Sequence, residues 1–215
     1  MNVKTKDTHN IEDIDNVCVV IKEVSENQYH TGFFFKSMSG DVKFLHLAWY
    51  ENLILGKANP DYKWLDIPFD EHNLLHFQLF LETIHNQNHK DIPYGISIDG
   101  IDFGADGTLL KEEDYLGLTC ATFVLRVLHS QGYKIIDLDK WEIREEDKEW
   151  QEKILLILKN SAPKEFIDYQ ETFIGKVARY KPSEVVVAAN SENPPLPQEA
   201  IIGLSEKLIQ EYLKK

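Results

Sequence analysis

Cys120 stands at the opening of the stretch Thr119-Cys-Ala-Thr-Phe-Val-Leu-Arg-Val-Leu-His-Ser-Gln-Gly132. A thiol placed there has the surroundings a nucleophile needs. Thr119 carries N-cap chemistry, Phe123, Val124, Val127 and Leu128 share one helical face, and Gly132 is a stop signal. The spacing predicts a helix of about a dozen residues with Cys120 in its first turn. Unpaired N–H groups and the positive end of the dipole favour a thiolate, so the thiol is expected below the free value of roughly 8.5. The same position also suits a small buried hydrophobe. Cys18, inside an apolar strand pattern, reads as core packing.

A thiol nucleophile needs a base within hydrogen-bond reach, usually held by a third polar group. His129 lies nine residues along the same helix, ~13 Å up its axis, and is too far. The base must come from upstream, where His46 sits in the middle of the strand pattern Val42–Tyr50. Taken alone, His46 is either a catalyst or a hydrogen-bonded core histidine. His72, His76, His85 and His89 share one helix pattern, but the two i, i+4 pairs lie on opposite sides of it, and there is no His-Glu-x-x-His. No metal site is expected from them. The glycines between Gly95 and Gly107 do not make a phosphate loop, and no cofactor is expected.

The elements that must position these residues form an α+β pattern. Runs at 16–24, 30–36, 42–50 and 62–69 are β-branched and aromatic and read as a four-stranded antiparallel meander. Asp70 caps a helix to Asn88, and residues 91–107 read as an irregular loop with one short hairpin. After an extended piece at 134–139, helices are predicted at 145–159, 164–170, 182–190 and 198–214, the last preceded by the connector Asn193-Pro-Pro-Leu-Pro197. The expected organisation is a loose polar arm over 1–15, a core over 16–140 and a helical extension over 141–215 packed on it.

With 36 acidic against 23 basic residues the net charge is -13, which disfavours nucleic acid and anionic membrane surfaces as partners. Two cysteines make no disulfide framework, and no signal-peptide or membrane-span pattern is visible, so a cytoplasmic protein without stable membrane insertion is expected.

Ile92-Pro-Tyr-Gly95, followed after a Gly-rich loop by Thr119-Cys-Ala-Thr-Phe-Val124, resembles the nucleophile segment of the papain-like NlpC-type hydrolases. In that family a Pro-Tyr precedes a loop and a Cys-x-x-Phe/Leu-Val pattern opens the central helix. Gly40-Asp-Val42 with His46-Leu-Ala-Trp-Tyr50 is similar to the family's Gly-Asp and histidine strand. Here the histidine strand precedes the cysteine, which resembles the circularly permuted branch that includes lecithin:retinol acyltransferase-like enzymes. The likeness spans roughly residues 16 to 135. Thr119 stands where relatives often have Asp or Asn, and Leu47-Ala48 replaces the glycine after the histidine. The resemblance implies a papain-like fold in which Cys120 attacks a carbonyl carbon and His46 takes its proton. Asp66, with Asn52 and Asp61 as rivals, would be the third group. The Cys120 N–H at the Thr119-capped helix start would be an oxyanion donor, and Tyr94 would line the cleft or donate to the oxyanion. Its expected activity is that of a cysteine hydrolase or acyltransferase on an amide, isopeptide, ester or thioester, such as one in a peptide or protein. The alternative is an inactive papain-like module that binds another protein.

Overall fold

The computed structural model describes residues 1–214 as an α+β fold built on a five-stranded antiparallel sheet. The strands are β1 (Cys18–Ser25), β2 (Gln28–Lys36), β3 (Val42–Trp49), β4 (Asn52–Lys57) and β5 (Lys63–Asp66), in the order β4-β3-β2-β1-β5. The expected meander is corrected in two ways. Residues 52–57, expected as loop, form an edge strand, because Glu51 takes a left-handed φ of 50° and closes a tight turn that ordinary turn chemistry does not announce. The chain then crosses back, so that β5 pairs with β1, Cys18 opposite Asp66, instead of continuing beside β4.

The first fifteen residues are not a loose arm. Lys4 and Trp64 exchange backbone hydrogen bonds of 2.9 and 3.0 Å, and Val3 and Ile14 are buried.

Period-two alternation divides the sheet's side chains between two apolar clusters. Val19, Ile21, Phe33, Phe35, Leu45 and Leu47 face the larger one, which is covered by α1 (Glu71–Asn88) and α2 (Cys120–Ser130). Cys18, Val20, Phe34, Phe44 and Trp64 face the smaller one with Ile14 and Tyr62. The Phe44 and Tyr62 rings lie 4.8 Å apart although β3 and β5 are three strand steps, roughly 14 Å, apart across a flat sheet. The sheet is therefore strongly curled around this second cluster.

Both predicted helix starts are capped. Asp70 accepts from the Asn73 N–H at 2.9 Å. Thr119 and Thr122 form a reciprocal capping box at the start of α2, which ends before Gly132 at φ +84°. β6 (Ile101–Phe103) and β7 (Leu109–Lys111) form the one hairpin of the loop region. The extended piece at 134–139 is not a strand; Ile136 makes only an isolated bridge to Leu196.

The C-terminal helices are α3 (Glu145–Leu158), α4 (Lys164–Glu171), α5 (Pro182–Ala189) and α6 (Gln198–Leu208), the last continuing as a π-helical turn to Leu213. Of these, α5 is part of the core rather than an added layer. Every residue of α5 is buried, and it packs on β1, β2 and α2 within the larger cluster. Its valines each contribute on the order of 1.5–3 kcal/mol of burial. Among the described residues no helix is long and apolar enough to cross a membrane.

Candidate active site

Two loops set Tyr94 against Cys120. Leu118 N–H donates to Pro93 O at 2.9 Å, and Gly95 N–H donates to Leu118 O at 3.2 Å, so residues 93–95 and 116–118 run side by side. Their closeness depends on glycine. A Cβ on Gly117 would lie 2.6 Å from Pro93 O and 2.9 Å from Gly95 N. Gln170 of α4, fully buried, ties both segments. It accepts from Ile96 N–H and donates to Tyr115 O, each at 2.7 Å. With the loops fixed in this way, the Tyr94 hydroxyl reaches both the Cys120 sulfur and the Cys120 backbone N–H, and the Trp49 ring lies 4.8 Å from the Tyr94 ring.

Cys120 is only 4 % exposed. Its sulfur is met by the Thr31 N–H, the Tyr94 hydroxyl and the Ala121 N–H, all of which favour a thiolate. Burial outweighs them, and the thiol is pushed up from its ordinary value. This corrects the expected depressed pKa: the helix start is buried under other elements, and desolvation there exceeds the benefit of the dipole.

The histidine that lines the cavity with Cys120 is His30. The β2–β3 ladder ends at Phe33 opposite Leu45, which leaves β2 without that neighbour from Gly32 back to Gln28. His30 lines the same cavity as Cys120, and the next residue, Thr31, gives its N–H to the sulfur. His46, expected as the direct partner of Cys120, does not line that cavity. It shares a sheet face with Phe44 of the smaller cluster, its ring stacks on Phe44 at 4.0 Å, and its Nδ1 lies 2.8 Å from His30 Nε2. His46 therefore reaches the cavity only through His30. Burial lowers His30 to about 4; burial and the neighbouring His30 lower His46 to about 3, so both rings are neutral at pH 7. One of them must donate in their shared bond. If His30 Nε2 donates to His46 Nδ1, His30 Nδ1 is left as a free base.

Asp66 is not the third group. Cys18 Sγ donates to it at 3.2 Å and Lys4 Nζ lies 2.5 Å away, with Asp66 on the edge strand β5. Asp61 pairs with Lys6 and Lys22, and Asn52 is exposed where β4 begins. Sequence reasoning passed over His30 because it stands first in its strand pattern; its placement two residues before Gly32 was the available signal, since a Cβ there would lie 2.5 Å from Leu45 O.

No family model, curated protein or solved structure gave a match to this chain.

The cavity that holds Cys120 has a volume of about 550 Å³. Tyr29, Trp49, Trp150, Ile154 and Ile157 give it aromatic and apolar walls, so helix α3 supplies one side. Arg179 enters from the segment before α5, its guanidinium 4.1 Å from the centre of the Trp150 ring. Among the described residues no group of three or more His, Cys, Asp or Glu side chains gathers to hold a metal.

Proposed function

We propose that the chain is a cysteine hydrolase or acyltransferase of the circularly permuted papain-like kind, with Cys120 as nucleophile, His30 as its base and His46 as the residue that orients His30. The observation that carries this reading is the His30–His46 hydrogen bond of 2.8 Å at the cavity containing Cys120. The Pro-Tyr and Cys-x-x-Phe-Val patterns and the order of histidine strand before cysteine helix support the family assignment.

In this mechanism the Cys120 sulfur attacks the carbonyl carbon of an amide, ester or thioester while His30 Nδ1 takes the thiol proton. The carbonyl oxygen becomes an oxyanion that accepts from the Tyr94 O–H and from the Cys120 N–H, which turns to it from the Tyr94 oxygen. Collapse of the tetrahedral species breaks the bond to the leaving group, which receives the proton from His30. Water, or an acceptor nucleophile, then gives a proton to His30 and attacks the thioester carbon. That step releases the acyl product and restores the thiol. The neutral resting pair fits a general-base route, in which the proton leaves the sulfur as the bond forms.

A second reading, a non-catalytic module that binds another protein, is favoured by one observation: Cys120 is 4 % exposed, with its thiol raised by burial. Alkylation by iodoacetamide separates the two readings. In a Cys18→Ser background, the catalytic reading predicts that Cys120 reacts at pH 7 and that His30→Ala slows it by at least roughly tenfold. Reaction only at alkaline pH, at a rate indifferent to His30, selects the binding module.

A further inference from the structure

Two arginines stand close together behind the cavity, and only one has an acid to itself. Arg144 pairs with Glu184 through Nη1, and its Nε lies 3.3 Å from Asp147 Oδ1. Their other oxygens accept from the backbone, while Asp147 Oδ1 makes no hydrogen bond and faces Arg144 as an ion pair alone. Asp147 Oδ2 accepts from the Arg144 and Arg179 backbone N–H groups at 3.1 Å each, and Glu184 Oε2 accepts from Lys181 N–H at 2.7 Å. The Arg179 side chain has no hydrogen bond or ion pair among the described residues, and its Nε is buried without a partner. The Trp150 face lies below it, and Asp147 and Glu184 act on its charge without a hydrogen bond to it. An unpaired guanidinium in a largely desolvated place is costly unless something supplies the missing acceptor.

The surroundings describe that acceptor. The charged side chains lining the cavity are Glu26, which is exposed, together with Lys153 and Arg179, so the cavity carries one net positive charge in a chain of net charge -13. The Trp150 ring covers one side of the guanidinium at 4.1 Å, and a guanidinium can bind a planar fork of two oxygens through its N–H groups. Arg179 lines the same cavity as Tyr94, the proposed oxyanion donor, and as Cys120.

We infer that Arg179 binds a carboxylate of the substrate, so that the acyl compound handled at Cys120 carries a single acidic group close to the scissile bond, as an acidic peptide or amino-acid amide does. A monoanion matches the one net charge better than a dianionic phosphate. This inference rests on the catalytic reading for the word substrate, but the binding itself needs no reactive cysteine.

The test is therefore a binding titration. Propionate, propionamide and inorganic phosphate are titrated into the full chain, with tryptophan fluorescence reporting on Trp150. Expected is saturable binding of propionate at least roughly tenfold tighter than of propionamide, lost in Arg179→Met and partly kept in Arg179→Lys. Equal affinities for propionate and propionamide on the unaltered chain overturn the inference without any variant. Undiminished propionate binding by a folded Arg179→Met chain overturns it too, and preference for phosphate over propionate overturns the carboxylate assignment. The ratio of iodoacetate to iodoacetamide alkylation at Cys120 then ties the carboxylate to this cavity. It should fall by a similar factor in Arg179→Met, and an unchanged ratio places the bound carboxylate elsewhere. If propionate binds but alkylation proves independent of His30, the catalytic reading fails while the carboxylate site stands.

Discussion

Cys18 and Cys120 are both buried, and burial raises both thiols, yet their neighbours are opposite in kind. Cys18 gives its proton to the Asp66 carboxylate, an acceptor that penalises a thiolate further. Cys120 is surrounded by donors: Thr31 N–H, Ala121 N–H and the Tyr94 hydroxyl. One sulfur is held as a thiol by its environment. The other is surrounded by groups that stabilise negative charge once it forms, with a neutral imidazole in the same cavity to take the proton. Depth alone does not distinguish the two cysteines; the sign of the groups around each does.

Substitution of the two sulfurs has the largest expected effect. Cys120→Ala should remove acyl transfer to an activated ester by a factor of roughly 10⁴ or more, whereas Cys18→Ala should leave it within about twofold. Equal losses in initial-rate assays would erase the distinction. His30→Ala should lower kcat/KM by about 10²–10⁴, and His46→Ala, which frees the His30 ring to rotate, by about 10². The reverse ranking would return the base role to His46. Tyr94→Phe should cost about 10²–10³ in kcat if its hydroxyl donates to the oxyanion, and little if it only lines the cavity.

Smaller effects sharpen the picture of how the site is held. Gly117→Ala forces the 93–95 and 116–118 segments apart and should destabilise the fold by about 1–3 kcal/mol in urea unfolding, with Tyr94-dependent activity falling alongside. The histidine pair makes stability depend on pH. Unfolded histidine titrates near 6.5, while the folded values are about 4 and about 3, so the unfolded chain binds more protons between those limits. Their contribution is complete above about pH 6.5 and is lost as pH falls through about 4 and 3. His30→Gln should flatten that part of the urea-midpoint profile. For the same reason the acid limb of kcat/KM should lie near pH 4 and not near 6.5.

Much of this was legible in the sequence wherever short-range chemistry decides. Asp70, Thr119 and Gly132 mark the limits of α1 and α2, and Pro93-Tyr94 with Cys120 marks the two loops that the structure brings together. What was not legible depends on distant pairings. Which face His46 takes is set by the β3 register and by the curl that carries Phe44 to Tyr62, and neither is written in residues 42–50. The return of β5 to β1, which carries Asp66 away to Cys18 and Lys4, is likewise a long-range choice. The thiol's upward shift follows from closure by other elements over the helix start, which no local pattern of residues 119–132 reports.

The central claim is that Cys120 forms an acyl-enzyme with proton transfer to His30. Mass spectrometry of the chain after brief reaction with p-nitrophenyl acetate tests it most directly. The account predicts a single acetyl adduct on Cys120, formed much more slowly in His30→Ala and moderately more slowly in His46→Ala. Acetylation of Cys18 or of surface lysines alone, or Cys120 acetylation at the same rate with and without His30, would contradict it.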